Sequence, residues 1–94
     1  MIDDSVICEE VINTIKKIVK AMGDDSSNVQ PDTEFFGDLG FVKAFRRELA
    51  KPLNKIIRKH GGYRVSKDTC GKLNKVSDAC ELVIKQIKKA SETK

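Results

Sequence analysis

Apolar positions recur along this chain with the period of an α-helix in three places. The first run is Ile7, Val11, Ile15, Ile18 and Met22, with Ile12 and Val19 widening the stripe. Asp3, Asp4 and Ser5 before it are types that cap helix N-termini, and Gly23 after it is a common stop. A helix over about 5–22 follows. The second run is Val42, Phe45, Leu49, Leu53 and Ile56 with Ile57 beside them, which predicts a helix over about 41–59. Pro52 lies inside it, where the ring removes a backbone N–H and crowds the carbonyl of Glu48. The helix either restarts with Pro52 in a first turn or bends there, and the unbroken phase of the stripe favours a bend. The third run, Val76, Cys80, Val83, Ile84 and Ile87, predicts a helix over about 75–90 with Asn74 as its cap.

The connections differ in character. Asp24 to Gly40 is rich in Asp, Ser, Asn, Pro and Gly, yet it carries Phe35, Phe36 and Leu39. Three large apolar groups in a loop need something to pack on, so they are expected to anchor an ordered loop to the helices. "HGGYR" breaks the second helix, and Ser66 opens a short helical turn over about 66–71. No segment has the alternation of a strand. The expected fold is all-α: one domain over 1–94, with three main helices, one short helix and a long ordered loop between the first two.

Composition narrows the class of function. A chain of 94 residues suits one modest core, not a multi-domain enzyme. Apolar residues make up 39% and charged residues 34%, with no apolar run of the roughly 18 residues that could span a bilayer. The opening "MIDDSVICEE" is acidic where a signal peptide is basic, so a cytoplasmic location is expected. Cys8, Cys70 and Cys80 are odd in number and match no zinc or redox spacing, and the one histidine, His60, is remote from them. Reduced thiols are expected, with Cys80 packed in the core and no metal bound.

Charge is split along the chain. Residues 1–40 hold nine acidic and three basic residues, a balance of −6. Residues 41–94 hold five acidic and fifteen basic residues, a balance of +10. A division this steep within one small domain predicts two faces of opposite sign.

"TEFFGDLG", Thr33 to Gly40, resembles the Phe-x-x-Asp-Leu-Gly signature that closes the long loop of acyl carrier proteins and peptidyl carrier domains. Leu49, Leu53 and Ile57 fall where that family's second helix places core residues, and Val65, Leu73 and Val76 match the spacing around its short third helix. The likeness runs from about Val6 to Ile87, with some four extra residues at "KHGGYR". It implies a carrier-like helical bundle of the fatty-acid, polyketide or peptide biosynthesis type. The departure is chemical. In the family a serine three residues after Asp-Leu-Gly takes the 4′-phosphopantetheine arm, whereas here "DLGFVKAF" puts Lys43 in that place. Val42 replaces the preceding Asp and Ala44 the following Leu. No Ser or Thr lies between Thr33 and Ser66, so no alcohol oxygen is available nearby and the cofactor is expected to be absent.

Nothing beside Lys43 suggests catalysis. A lysine nucleophile needs burial or a neighbouring cation to lower its pKa. Arg46 and Arg47 are close, but no general base is evident, so an enzyme is not expected. Lys43, Arg47, Lys51, Lys55 and Lys59 recur every four residues, with Arg46 and Arg58 beside the row. Like charges at this spacing cost about 0.2–0.5 kcal/mol per pair, or roughly 1–2 kcal/mol along the row. Glu48 is the one acidic residue on the helix to offset them. The resemblance implies a helix that is ordinarily acidic and docks on basic enzymes. With the sign reversed, the expected partner of this monomer is an acidic protein surface, such as a genuine acyl carrier protein or a biosynthetic enzyme. The alternative is a small basic module for nucleic acid or another anionic surface. It is the weaker of the two, since the four Phe residues look committed to the core and leave no stacking platform.

Overall fold

The computed structural model describes residues 3–92, and among them every regular element is helical. The elements are α1 (Asp4–Ala21), a 3₁₀ turn (Ser26–Asn28), α2 (Lys43–Glu48), α3 (Ala50–Lys59), α4 (Lys67–Gly71) and α5 (Val76–Glu92). No helix among the described residues is long and apolar enough to cross a membrane.

α1 starts where Asp3 accepts a hydrogen bond from the Ser5 N–H at 3.0 Å. It buries Ile7, Val11, Ile15 and Val19, an i, i+4 row; Ile12 and Ile18 flank it, and Met22, past the helix end, is exposed. The buried stripe thus ends on Val19, not on Met22. α5 supplies the facing side with Val76, Ala79, Cys80, Val83 and Ile87. Its start differs from expectation. Asn74 is not the cap; the Asp78 carboxylate reaches back to the Lys75 N–H at 3.0 Å.

The expected second helix is two helices. It begins at Lys43, because Phe41 and Val42 are not helical and Val42 is extended (φ −65°, ψ 165°). It is interrupted at Leu49, whose N–H turns to the Arg46 carbonyl in a tighter, 3₁₀-like bond. Pro52 then sits in the first turn of α3, where its missing N–H costs nothing. Restart, not a mid-helix bend, is how the proline is accommodated. Leu49 itself keeps helical dihedrals (φ −64°, ψ −18°), so the apolar stripe passes the junction and Leu49, Ala50, Leu53, Ile56 and Ile57 are all buried. Val42 is not: it is 53% exposed.

The segment between α3 and α4 is tied at both ends. Gly61 and Gly62 close α3, their N–H groups reaching the Arg58 and Ile57 carbonyls at 3.1 and 2.8 Å. A side chain at Gly62 would stand 3.0 Å from the backbone of Ile87, so this turn lies directly on α5. Asn54, a polar residue within α3, pairs with the backbone of Val65, accepting its N–H at 2.7 Å and donating to its carbonyl at 3.0 Å. Ser66 then caps α4 through the Thr69 N–H, as expected.

Candidate docking face around the start of the second helix

The loop that precedes α2 is built to hold one position of the chain in place. Asp38 accepts the Glu34 N–H at 2.8 Å, and the Asp38 and Leu39 N–H groups return to the Glu34 carbonyl. Gly40 has φ +69°, a region open to glycine, and its N–H donates to the Phe36 carbonyl. This tight turn brings Phe41 back on Phe35: the Phe41 N–H donates to the Phe35 carbonyl at 2.7 Å and the rings stack at 5.9 Å. Phe41 in turn meets the edge of Phe45 at 4.5 Å. The loop is also stitched to the last helix. Val76 and Ser77 donate to the carbonyls of Thr33 and Pro31, and Phe35 donates to that of Asn74.

Of the expected loop anchors, Phe35 is fully buried and Leu39 packs against the core. Phe36 is the correction: it is 64% exposed. The buried aromatic partner of Phe35 is Phe41, which sequence periodicity had assigned to a helix. The belief that every Phe is committed to the core fails with Phe36.

Phe36 and Val42 are therefore two exposed apolar side chains close together at the start of α2. They line an open depression of about 600 Å³ with Glu34, Lys43, Arg46 and Lys75 among its walls. A second depression of similar size is lined by Asp24, Asp25, Asp32 and Asp38 with no basic side chain. The charge split of the sequence is thus carried into space as two separate surfaces.

The basic residues do not behave as one row. Arg46 is a structural residue: it donates to the Phe41 carbonyl at 2.6 Å and the Gly71 carbonyl at 3.3 Å, joining the loop end to α4. Arg47 pairs with Asp68 of α4 at 2.6 Å. Lys59 pairs with Glu10 of α1 at 2.6 Å, and His60 meets the other oxygen of the same carboxylate at 2.6 Å. That partnership, with Lys59 the larger influence, holds the Glu10 carboxyl below its ordinary value. Glu48 leans to Lys67 at 3.6 Å instead of serving the row. The repulsion expected along the helix is thus relieved at Arg47 and Lys59 by carboxylates from neighbouring elements. Lys43, Lys51, Lys55 and Arg58 remain exposed and without an ion pair among the described residues. These four are the members of the row whose charge is left uncompensated by an ion pair.

Lys43 opens α2 on the rim of the depression. Among the described residues, no carboxylate or imidazole stands within hydrogen-bond reach of it. Groups of three or more His, Cys, Asp or Glu residues that could hold a metal ion are likewise not found there. The chain matches no protein-family model, no curated protein and no solved structure.

Proposed function

We propose that this chain is a carrier-like helical domain that docks on an acidic protein partner and carries no phosphopantetheine arm. The observation that supports this best is the placement of Phe36 and Val42, apolar and exposed, beside the unpaired Lys43 and Lys75 on one depression. Exposed apolar groups beside a mainly basic rim, with Lys43, Arg46 and Lys75 against the single carboxylate of Glu34, suit a partner surface with an apolar knob inside an acidic rim. Lys51, Lys55 and Arg58 extend the positive field along α3, which steers association more than it adds affinity. The missing arm rests on chemistry. Lys43 presents an ammonium where a hydroxyl oxygen would attack a phosphate of coenzyme A, and no Ser or Thr lies between Thr33 and Ser66. The structural tasks of Asp38, Gly40 and Phe35 do not depend on a modification at position 43.

A second function is favoured by one observation. An exposed Phe36 beside lysines is also what a single-stranded nucleic acid uses, stacking a base on the ring while the cations neutralise phosphates.

One titration series separates the two. The protein is offered an acidic acyl carrier protein and, separately, a single-stranded oligonucleotide, at low and physiological salt. Docking predicts binding to the first, weakened by Phe36→Ala and by Lys43→Glu. Binding to the oligonucleotide alone selects the second function, and binding to neither defeats both. Incubation with coenzyme A and a phosphopantetheinyl transferase is expected to leave the mass unchanged; the arm is expected only after Lys43→Ser with Val42→Asp and Ala44→Leu. An adduct on the unaltered chain would overturn the non-carrying assignment.

A further inference from the structure

Two of the three cysteines meet across the main helix pair. Cys8 lies on α1 and Cys80 on α5, separated by 72 positions in sequence, with their Sγ atoms 2.7 Å apart. Cys80 Sγ also lies 3.7 Å from the Cys8 carbonyl oxygen. An exposed ion pair between Asp4 and Lys88 at 2.9 Å joins the same two helices further along. Closing an S–S bond of about 2.0 Å needs the sulfurs to move by only about 0.7 Å. Sequence spacing cannot display this pair, because the proximity exists only once α1 and α5 are packed.

We propose that Cys8 and Cys80 form a redox pair that closes an intramolecular disulfide between α1 and α5, with a small-molecule disulfide as the oxidant. The two sulfurs have different roles. Cys8 is partly exposed and is the one a reagent reaches, whereas Cys80 is buried. Burial first, and the hydrogen bond with Cys8 second, push the Cys80 thiol well above the usual thiol range, so it is not the initial nucleophile. The Cys8 thiolate attacks the oxidant, forms a mixed disulfide and releases one thiolate. That thiolate takes the Cys80 proton, and Cys80 sulfur displaces the second half of the oxidant from Cys8. Two protein thiols are oxidised, one external disulfide is reduced to two thiols, and no other reagent is needed. The bridge closes a loop running from residue 8 to residue 80 and therefore restricts most of the unfolded chain. Cys70, buried on α4, has no sulfur beside it among the described residues and serves as the internal control.

The test treats the full chain with bis(2-hydroxyethyl) disulfide under native conditions and quenches it with acid. The expected product is a monomer lighter by one hydrogen per joined cysteine, giving a Cys8–Cys80 cross-linked peptide on digestion. Its melting midpoint should rise by several degrees and return on addition of dithiothreitol. Cys70→Ser should behave as the unaltered chain, Cys8→Ser should leave the mass unchanged, and Cys80→Ala should stop at the mixed disulfide on Cys8, heavier by one half of the oxidant, with no cross-linked peptide. Should Cys80→Ala not fold, the cross-linked peptide from the unaltered chain decides alone. In the unaltered chain, a stable mixed disulfide at Cys8, a disulfide-linked dimer, or a bridge to Cys70 would each overturn the pairing.

Discussion

Phe35 and Phe36 are adjacent, chemically identical and placed in one loop, yet their truncation should have opposite consequences. Phe35 is 0% exposed and stacked on Phe41, which itself packs on Phe45. Removing a buried Phe ring costs about 3–5 kcal/mol, and the lost aromatic pairing, about 0.5–1.5 kcal/mol, favours the upper part of that range. About 4–5 kcal/mol is therefore expected for Phe35→Ala. A domain of this length has on the order of 5–14 kcal/mol in total, so the variant loses a large fraction of its stability. Phe35→Leu, which keeps most of the volume, should cost about 1.5 kcal/mol or less and gives a measurable intermediate. Phe36→Ala removes a ring that is mostly in water and should change stability by no more than about 0.5 kcal/mol. Urea unfolding followed by far-ultraviolet circular dichroism measures all three, with a shared m-value showing that midpoints report stability. A cost for Phe35→Ala below about 1 kcal/mol, or equal costs at the two positions, would refute the proposed packing of the loop.

Arg46→Ala leaves the Phe41 and Gly71 carbonyls without their guanidinium donor and should cost about 1–3 kcal/mol in urea unfolding, although no partner is present. Arg46→Lys should recover only part of this, since one ammonium cannot reproduce the fork; full recovery would mean that charge alone matters. Charge reversal belongs at Lys51→Glu with Lys55→Glu, both exposed and unpaired; it should leave the fold intact while slowing association with an acidic partner and removing much of its salt dependence. Unchanged association kinetics would remove the row from the docking face. Glu10 has a folded pKa below its ordinary 4.5, so its contribution is present above that value and fades as pH falls through the lowered one. Glu10→Gln should flatten the loss of stability as pH falls below the ordinary glutamate value, the residual slope belonging to capping carboxylates such as Asp3 and Asp25. Identical slopes in the two proteins would show that the Lys59 and His60 contacts are not formed in solution.

Periodic segments were legible because burial of a helix face imposes a spacing that a single sequence displays. Ile7, Val11 and Ile15 are found where the 3.6-residue period puts them, and so are Leu53, Ile57, Val76 and Val83. Loops impose no period. Nothing in "TEFFGDLG" distinguishes the inward Phe35 from the outward Phe36, because the choice is made by the turn at Gly40 and by the hydrogen bond from Phe35 to Asn74. Phe41 lies at the end of the loop and not in the helix that the stripe from Val42 predicts, because Gly40 at φ +69° returns the chain onto Phe35. The basic row was legible as a row but not as a set of partners. Asp68 and Glu10, which pair with Arg47 and Lys59, lie 21 and 49 positions away in sequence. Asn54 carried a signal that was overlooked: an amide between Leu53 and Lys55 in an otherwise regular helix, at a half-buried position, needs a backbone partner, and Val65 supplies it.

The start of α5 has no side chain of its own covering the N–H groups of Val76 and Ser77; the carbonyls of Thr33 and Pro31 do so from the long loop. These contacts join parts of the chain more than forty positions apart, so they form after a large chain closure and not by local nucleation. The loop and the first turn of the last helix consequently belong to one cooperative unit. Lifting the loop off α5 would take the acceptors from two helical amides together, and the Phe35 N–H would lose the Asn74 carbonyl with them. The loop ahead of Lys43 therefore cannot rearrange on its own account: any conformational adjustment at the rim of the depression is transmitted to the helix that supplies five of the twenty buried apolar residues described.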